Sequence, residues 1–447
     1  FENQINNIFF LFYVSMQQYK KEWFGNIKGD ILAGIVVCLA LFPEVIGFMI
    51  VAGVPPVVGV YATFFITAIA AFFGSSKGMI SAAAGSVALV LAHLVAEYGI
   101  QYLFAATILA GVLQVVLGFL KIGTLMRYIP KPVMTGFVNG LGIMMFTSQL
   151  DHFQGSLLLP LLGLLGIAII FLFPRITKKI PAPIVAILVI TAIVLGFGLD
   201  VKTLGDMGSI STDLPRFGIP AVPMTLETLR IIFPTALSVA IVGLVESLLT
   251  AQLVDEITEE KSDKNQETLS QGLGNVVSGF FGGIAGCGMI GQTIINLNYG
   301  GLGRLATFLS GFFMLLSVVL LNGSVVQIPV VALAAVMVVV SIETINWDSI
   351  KRLRTNPKNE SFAMILTVAI VIGTHNLAYG VVAGTLVSAV FAAFKMAHLH
   401  VAAGTADDDH HYKVDGHLYF ASAEKFLDFF AEEIEHEEEV VIDISAM

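Results

Sequence analysis

Two acidic residues, Glu44 and Glu246, stand inside long apolar stretches of the sequence, where an ionisable side chain is costly and usually functional. Thr250 follows Glu246 by four residues, so a helix places its hydroxyl and the carboxylate on one face. Oxygen ligands of this kind suit a sodium ion, and a buried carboxylate also suits a proton. The alternative for each acid is a structural hydrogen bond to a freed backbone N–H. Pro43 weakens the helix beside Glu44.

Two segments rich in small residues, 78–90 and 282–295, read as helices only over their second halves. Each is the third of seven apolar segments in its half of the chain, and such a matched pair indicates a transporter's binding site. A helix that begins inside the membrane presents free N–H groups and about half a positive charge. Two facing N-termini therefore predict an anion site without Lys or Arg. The alternative is that the small residues only permit close helix packing.

The composition excludes a soluble protein. Of the 447 residues, 56% are apolar and 13% are charged, and the mean hydropathy is +0.86. Soluble proteins carry about 25% charged residues, so the chain is predicted to be a polytopic membrane protein. The net charge of -10 leaves no basic face for nucleic acid. Neither a disulfide framework nor a zinc site is expected from Cys38 and Cys287, and nothing in the sequence indicates an enzyme.

The Lys and Arg residues form short clusters, and an even number of apolar runs separates successive clusters. Because a spanning helix needs about 20 residues, we predict about 14 crossings in two inverted sets of seven. The positive-inside rule then places the clusters and both ends of the chain in the cytoplasm. The predicted runs are 31–50, 57–74, 79–97, 103–120, 133–148, 157–173, 181–198, 229–254, 271–284, 288–300, 306–322, 327–345, 361–376 and 379–398.

The two ends of the chain differ from the apolar middle. Residues 1–28 are predicted to be an N-terminal cytoplasmic segment with an amphipathic helix, and they show no cleavable signal pattern. Residues 401–411 are predicted to be a polar linker, and residues 412–447 a small, incomplete α/β unit. That unit is expected to contain a strand in 412–420, a helix in 423–435 and a strand in 440–445.

Several motifs carry a resemblance that covers nearly everything from Gly29 to the end. They are Gly29–Gly34, Ala52–Val57, Gly59–Tyr61, Gly243–Thr250 and Gln271–Asn275. With them the chain resembles a bacterial member of the SulP family, which is solute carrier family twenty-six. Residues 412–447 are similar to the first half of a STAS domain, the cytoplasmic appendage of that family.

The resemblance implies an all-α polytopic fold of 7+7 inverted repeats over residues 29–400, in a bacterial inner membrane. The core would comprise about 29–128 and 229–325, and the gate about 129–228 and 326–400. It further implies elevator transport, a homodimer and a cytoplasmic partner for the partial STAS domain. Substrates across the family are bicarbonate, sulfate, chloride, oxalate and dicarboxylates.

The resemblance also implies two sets of site residues. The anion-binding set, at the starts of spans 3 and 10 and on span 1, is Glu44, Ala84, Gly85, Ser86, Met289, Ile290, Gly291 and Gln292. The set for sodium or a proton is Glu246, Thr250, Gly288, Met289 and Ile290. No other cofactor is expected. Glu97 and Glu343 are expected at solvated span ends, and Cys287 is expected to be a small packing residue.

Three departures from the family pattern bear on the substrate. Gln292 precedes Thr293 where many members have Arg, Ile290 and Ala84 replace hydroxyl residues of the bicarbonate branch, and Glu44 stands where sulfate-type members often have Gln. The missing Arg argues against a channel-like chloride or divalent-anion site and favours a cation-coupled monovalent anion. The leading hypothesis is sodium-coupled bicarbonate import.

Two alternatives stay open at this point. One is a proton-coupled sulfate or dicarboxylate symporter in which Glu246 or Glu44 carries the proton. The other is a membrane scaffold whose STAS-like tail binds a partner and whose spans carry no flux. The paired broken segments argue against a scaffold, because it has no need of unpaired backbone inside the membrane.

Overall fold

The computed structural model describes residues 17, 19–124, 130–177, 181–207, 214–396, 400–403, 411–415, 427 and 441–446. Within these residues the first half of the chain forms α1 Ile27–Ala52, α2 Pro56–Phe73, β1 Ser81–Ala83, α3 Gly85–Tyr98, α4 Ile100–Phe119, α5 Lys131–Gln149, α6 Leu158–Leu172 and α7 Ala182–Gly196. The second half forms α8 Leu226–Thr258, α9 Lys264–Phe280, β2 Gly286–Gly288, α10 Ile290–Asn298, α11 Arg304–Val325, α12 Val330–Thr344, α13 Lys358–Thr374 and α14 Leu377–Met396.

The apolar runs read from the sequence coincide with these helices to within a few residues. The largest difference is α9, which begins at Lys264 rather than at 271. Its polar first turn is capped by the Asp263 side chain, which accepts hydrogen bonds from the Asn265 and Gln266 N–H groups. An apolar pattern cannot reveal such a polar start, because the helix emerges there from its apolar surroundings.

Six helices among the described residues are long and apolar enough to cross a membrane, namely α1, α2, α4, α6, α8 and α14. A seventh candidate is α12 together with the short helix that follows it at Trp347, the two being bent by 47°. The structure is therefore a mostly helical, multi-pass fold. The number of 14 crossings stays a prediction.

Helices of one half of the chain pack on helices of the other half in a reciprocal pattern. α2 packs on α11 and α9 packs on α4, so that the second helix of each half meets the fourth helix of the other. The α4–α9 approach is close because it involves glycines: a Cβ on Gly111 would lie 2.6 Å from the Gly272 carbonyl oxygen. In the same way α5 packs on α13, and α12 packs on α6. This reciprocal pairing is what two structurally equivalent halves produce.

The two short strands tie the halves together. β1 and β2 pair antiparallel with Ser81 opposite Gly288 and Ala83 opposite Gly286. A Cβ on Gly286 would lie 2.1 Å from the Ala82 carbonyl oxygen, so no larger residue fits without moving a backbone. Each strand leads directly into a helix, β1 into α3 and β2 into α10. The pairing thus fixes where both helices begin.

A charged cluster joins the start of the chain to α11. Glu22 accepts a hydrogen bond from Arg304 Nε at 2.8 Å and lies 3.2 Å from Lys77 Nζ, which also bonds Glu260 at 2.8 Å. Arg304 also donates to the Ala71 and Gly74 carbonyl groups at the end of α2. Burial alone would raise the pKa of Glu22, but the hydrogen bonds from Arg304 and Lys77 hold it below its ordinary value of 4.5.

The C-terminal part contains a three-stranded sheet, β3 His400–Ala403, β4 His411–Asp415 and β5 Val441–Ala446. β3 pairs antiparallel and β5 parallel with β4. The prediction that residues 401–411 are linker is therefore wrong for His411, which begins β4, and for 401–403. Their strand is defined by hydrogen bonds to β4, which local sequence does not reveal. The predicted helix 423–435 lies outside the described residues except for helical Leu427, and so do residues 1–16 of the N-terminal segment.

Gly286→Ala should lower the unfolding temperature, because its methyl group must displace the Ala82 carbonyl; overpacking of this kind costs about 1–3 kcal/mol. Thermal unfolding of the purified protein in detergent measures the change. Gly196→Ala at the end of α7 is the matched control, since nothing lies within 4 Å of its Cβ position. Equal unfolding temperatures for the two variants would contradict the close β1–β2 contact.

Glu22→Gln should destabilise the protein at neutral pH and lose this effect in acid. A carboxylate with a lowered folded pKa stabilises above its unfolded pKa, and the contribution disappears as the pH falls through the folded value. The gap in unfolding temperature between wild type and Glu22→Gln should therefore close below about pH 4.5. Exposed Glu256 in α8 provides the control Glu256→Gln. A gap that does not change with pH would show that Glu22 acts through packing alone.

Candidate anion-binding cavity

Two helices begin side by side in the interior, at the point where β1 and β2 end. Ala84 precedes α3 and Met289 precedes α10, both with extended backbone and neither with a side chain that caps the helix. The first N–H groups of a helix have no acceptor within it. Both first turns are thus available to a ligand, and both carry the positive end of a helix dipole.

A cavity of about 420 Å³ lies against these first turns. Its walls come from α1, α3, α5, α8, α10 and α12. The residues that line it are Glu44, Phe48, Ala84, Gly85, Ser86, Phe137, Val138, Leu141, Met145, Glu246, Leu249, Gly288, Met289, Ile290, Gly291, Gln292, Ile294, Ile295, Val340, Glu343 and Thr344. Every site residue predicted from the sequence is among them except Thr250. The sequence did not reveal the walls from α5 and α12, because their lining is mostly apolar and looks like core.

The Glu246 carboxylate is held by two donors beside the start of α3. Its Oε2 atom accepts from Ser86 Oγ at 2.6 Å and from Cys287 Sγ at 2.6 Å. Cys287 is fully buried in β2, as a packing residue would be, but its thiol also contacts the carboxylate. A free thiol in an apolar stretch gives no sequence signal for this role. The contact brings together α8, α3 and β2.

Thr250 lies behind the cavity wall. Its hydroxyl donates to the Glu246 carbonyl at 2.8 Å and lies 3.2 Å from the Gly288 carbonyl. The side chain is fully buried, so the hydroxyl faces backbone oxygens and not the Glu246 carboxylate. A cation here would have backbone and hydroxyl oxygens beside one carboxylate. In the described part of the chain, no three His, Cys, Asp or Glu side chains are grouped as a metal site.

Glu44 and Gln292 connect α1 to the first turn of α10, since the Gln292 amide donates a hydrogen bond to the Glu44 carboxylate. Glu343 comes from the last turn of α12 and also lines the cavity. The expectation that Glu343 is a solvated span-end residue is therefore incomplete. It is exposed near a helix end, but the space that it faces is the cavity. Only the packing of α12 beside α1 and α5 reveals this.

Buried polar side chains hold the backbone that forms the site. Ser247 accepts from the Gly288 N–H at 2.9 Å, and Thr293 accepts from the Ile80 N–H at 3.0 Å. Asn275 bonds both the N–H and the carbonyl of Gly286, at 2.8 and 3.1 Å, and also bonds Gln114. These contacts satisfy the peptide groups of β1 and β2 that the short ladder leaves free. They give the Gln271–Asn275 motif a structural role.

Comparisons with known proteins agree with this architecture. The sequence profile described as "Sulfate permease family" matches residues 27–158 and 156–367. The chain belongs to the sulfate permease family. The resemblance to this family seen in the sequence is thereby confirmed. The family's transporter fold makes the chain a multi-pass membrane anion transporter, and the chain is not an enzyme.

Individual relatives carry different substrate names. The Bacillus subtilis protein named "Putative sulfate transporter YbaR" is 51% identical over 430 residues, which cover 95% of this chain and 89% of that protein. The "Bicarbonate transporter BicA" of Picosynechococcus sp. is 28% identical over 421 residues, covering 86% and 73%. The solved transmembrane domain of a cyanobacterial bicarbonate transporter BicA has a TM-score of 0.71 at 26% identity, covering 82% of this chain and 98% of that domain.

Ser247→Ala should destabilise the protein and weaken transport, because it leaves the buried Gly288 N–H without an acceptor. Such a loss costs about 1–3 kcal/mol. Ser310→Ala is the matched control, since the Ser310 hydroxyl is buried and donates only to the Thr307 carbonyl of its own helix. Thermal unfolding and anion uptake measure the two effects. Equal unfolding temperatures and equal uptake for the two variants would show that Ser247 does not stabilise β2.

Proposed function

We propose that this sulfate permease family member imports bicarbonate together with sodium across a bacterial inner membrane. The observation that carries the proposal is the charge of the cavity. Its lining includes three carboxylates, Glu44, Glu246 and Glu343, and none of its lining residues is Lys, Arg or His. An anion that enters such a cavity needs a cation beside it.

The energetic argument rests on burial. An ionised carboxylate without a cationic partner costs several kcal/mol inside a protein. The Glu246 carboxylate has two neutral donors, and no described side chain near it is basic. A second negative charge at the first turns of α3 and α10 raises this cost. A bound sodium ion offsets it, so that anion and cation each favour the binding of the other.

The proposed cation site comprises the Glu246 carboxylate with oxygens of Thr250, Gly288, Met289 and Ile290. The Thr250 hydroxyl lies 2.8 Å from the Glu246 backbone carbonyl and 3.2 Å from the Gly288 carbonyl, which places three hard oxygens together behind the cavity wall. Sodium accepts a mixture of carboxylate, hydroxyl and carbonyl oxygens. The carbonyl of Gly288 belongs to β2, so a cation bound here lies directly next to the start of α10.

The proposed anion site comprises the first turns of α3 and α10. The N–H groups from Gly85 onward and from Ile290 onward supply donors, and the two helix dipoles supply positive potential. Glu44 and Gln292 close one side through their hydrogen bond. Bicarbonate, the substrate in the name of BicA, is a monovalent oxyanion that such donors suit.

A second candidate is proton-coupled transport of sulfate or a dicarboxylate. The 2.6 Å contact between Ser86 and Glu246 favours it, because a protonated carboxyl can donate to the hydroxyl over the same distance. The name of the 51% identical relative also points to sulfate. Here Glu246 or Glu44 carries the proton, and no sodium is needed.

The motion proposed for transport is an elevator, with the homodimeric arrangement expected from the family. Helices α1–α4 and α8–α11 pack mainly among themselves, and α5–α7 and α12–α14 do the same. The cavity lies between the two groups, since α10 contributes one wall and α12 another. A displacement of one group against the other supports alternating access to the cavity.

Glu246→Gln should abolish sodium-stimulated uptake and leave folding intact, because the amide keeps the shape of the side chain and removes its charge. The measurement is uptake of labelled bicarbonate into proteoliposomes, with and without an inward sodium gradient, with sulfate and fumarate as competitors. Normal uptake by this variant would refute the proposal.

The control is Glu97→Gln, the same change at an exposed position near the end of α3 that does not line the cavity. It should keep wild-type uptake. Uptake of sulfate or fumarate driven by a proton gradient without sodium would favour the second candidate and assign the proton to a cavity carboxylate.

A further inference from the structure

Glu343 occupies a position in the cavity that differs from those of the other two acids. Glu44 and Glu246 stand on α1 and α8, in the helix group that carries the first turns of α3 and α10. Glu343 stands on α12, in the opposite group, next to Val340 and Thr344 in the cavity wall. It therefore reaches the cavity from the helix group that does not carry the proposed anion donors.

No basic group compensates the Glu343 carboxylate among the described residues. Glu44 bonds Gln292, and Glu246 bonds Ser86 and Cys287, whereas Glu343 is exposed to the cavity and has no ion pair. The first cation after it in the chain, Lys351, pairs with Asp348 at 3.3 Å. The Glu343 charge therefore acts on whatever occupies the cavity without a basic side chain that cancels it.

We propose that Glu343 determines the valence selectivity of the cavity by opposing dianions more strongly than monoanions. Coulomb repulsion is proportional to the charge of the anion. If the Glu343 charge weakens the binding of a monoanion by some factor, it weakens the binding of a dianion at the same place by the square of that factor. The donors on α3 and α10 bind the anion, and Glu343 selects against anions of higher charge.

The inference rests on the anion position of the proposed function, but it needs neither a sodium gradient nor the elevator motion. It also assigns Glu343 a task different from that of Glu246. Glu246 would neutralise the coupling cation, whereas Glu343 would act on the anion alone, across the cavity and without contact. The positive helix ends favour a dianion over a monoanion, and the Glu343 charge opposes that preference.

The test compares two anions of the same tetrahedral shape and different charge, perchlorate and sulfate. Their dissociation constants are measured by isothermal titration calorimetry on the purified full chain in detergent, at constant ionic strength. For Glu343→Gln we expect about threefold tighter binding of perchlorate and about ninefold tighter binding of sulfate, as one charge across a wet cavity would produce. A change in sulfate binding that is the square of the change in perchlorate binding indicates an effect of charge.

Two further variants separate charge from packing. Glu343→Asp keeps the charge and should retain the wild-type preference between the two anions, although it alters the packing of the side chain. Glu97→Gln removes an exposed carboxylate outside the cavity and should change neither constant.

Equal factors for sulfate and perchlorate, or no gain in sulfate binding, would overturn the proposal. Because binding in detergent requires no gradient, a failure of sodium coupling in proteoliposomes leaves this measurement intact. Conversely, sodium-driven uptake that depends on Glu246 does not require any effect of Glu343 on the selectivity for anion valence. The two proposals therefore fail separately.

Discussion

The structure depends on one constraint: backbone N–H groups in the interior of a membrane protein need acceptors, and α3 and α10 both begin there. The β1–β2 ladder and the side chains of Ser247, Asn275 and Thr293 satisfy the peptides that lead up to each helix. The first turns themselves stay uncapped. A cavity lies at that place, so the polar backbone that lipid could not tolerate faces a space that an ion can fill.

The positive potential and the negative charge of this cavity come from two different kinds of group. The positive potential comes from helix ends and is spread over several peptides, while the negative charge is concentrated on three carboxylates. A side chain such as Arg would have carried its own fixed charge to the anion. Gln292 does not, and its amide is instead bound to Glu44. In the proposed function a mobile cation completes the neutrality, and coupling is then a property of the whole cavity rather than of one residue.

Much of this was accessible from the sequence, because it depends on local patterns. Apolar runs located the helices, and glycine-rich interruptions located the two half-helices. The buried acids and the family resemblance supplied eleven predicted site residues, and ten of them line the cavity. The features that the sequence did not predict depend on contacts between residues that are far apart in the chain. Glu343 looked solvated because the sequence does not show which space a helix end faces, and Cys287 looked inert because its acceptor is 41 residues away. Likewise, residues 401–403 are a strand only because β4 pairs with them.

The register of β1 and β2 has a consequence for the direction of transport. Because Ser81 pairs with Gly288 and Ala83 with Gly286, α3 and α10 cannot separate or slide without breaking the ladder and the clash-limited contact at Gly286. The two sets of donors therefore form one rigid clamp. In the elevator motion proposed above, this clamp would present the same donors to an anion from either side of the membrane. Net flux would then follow the electrochemical gradients of the transported ions, and the same molecule would run backwards whenever those gradients are reversed.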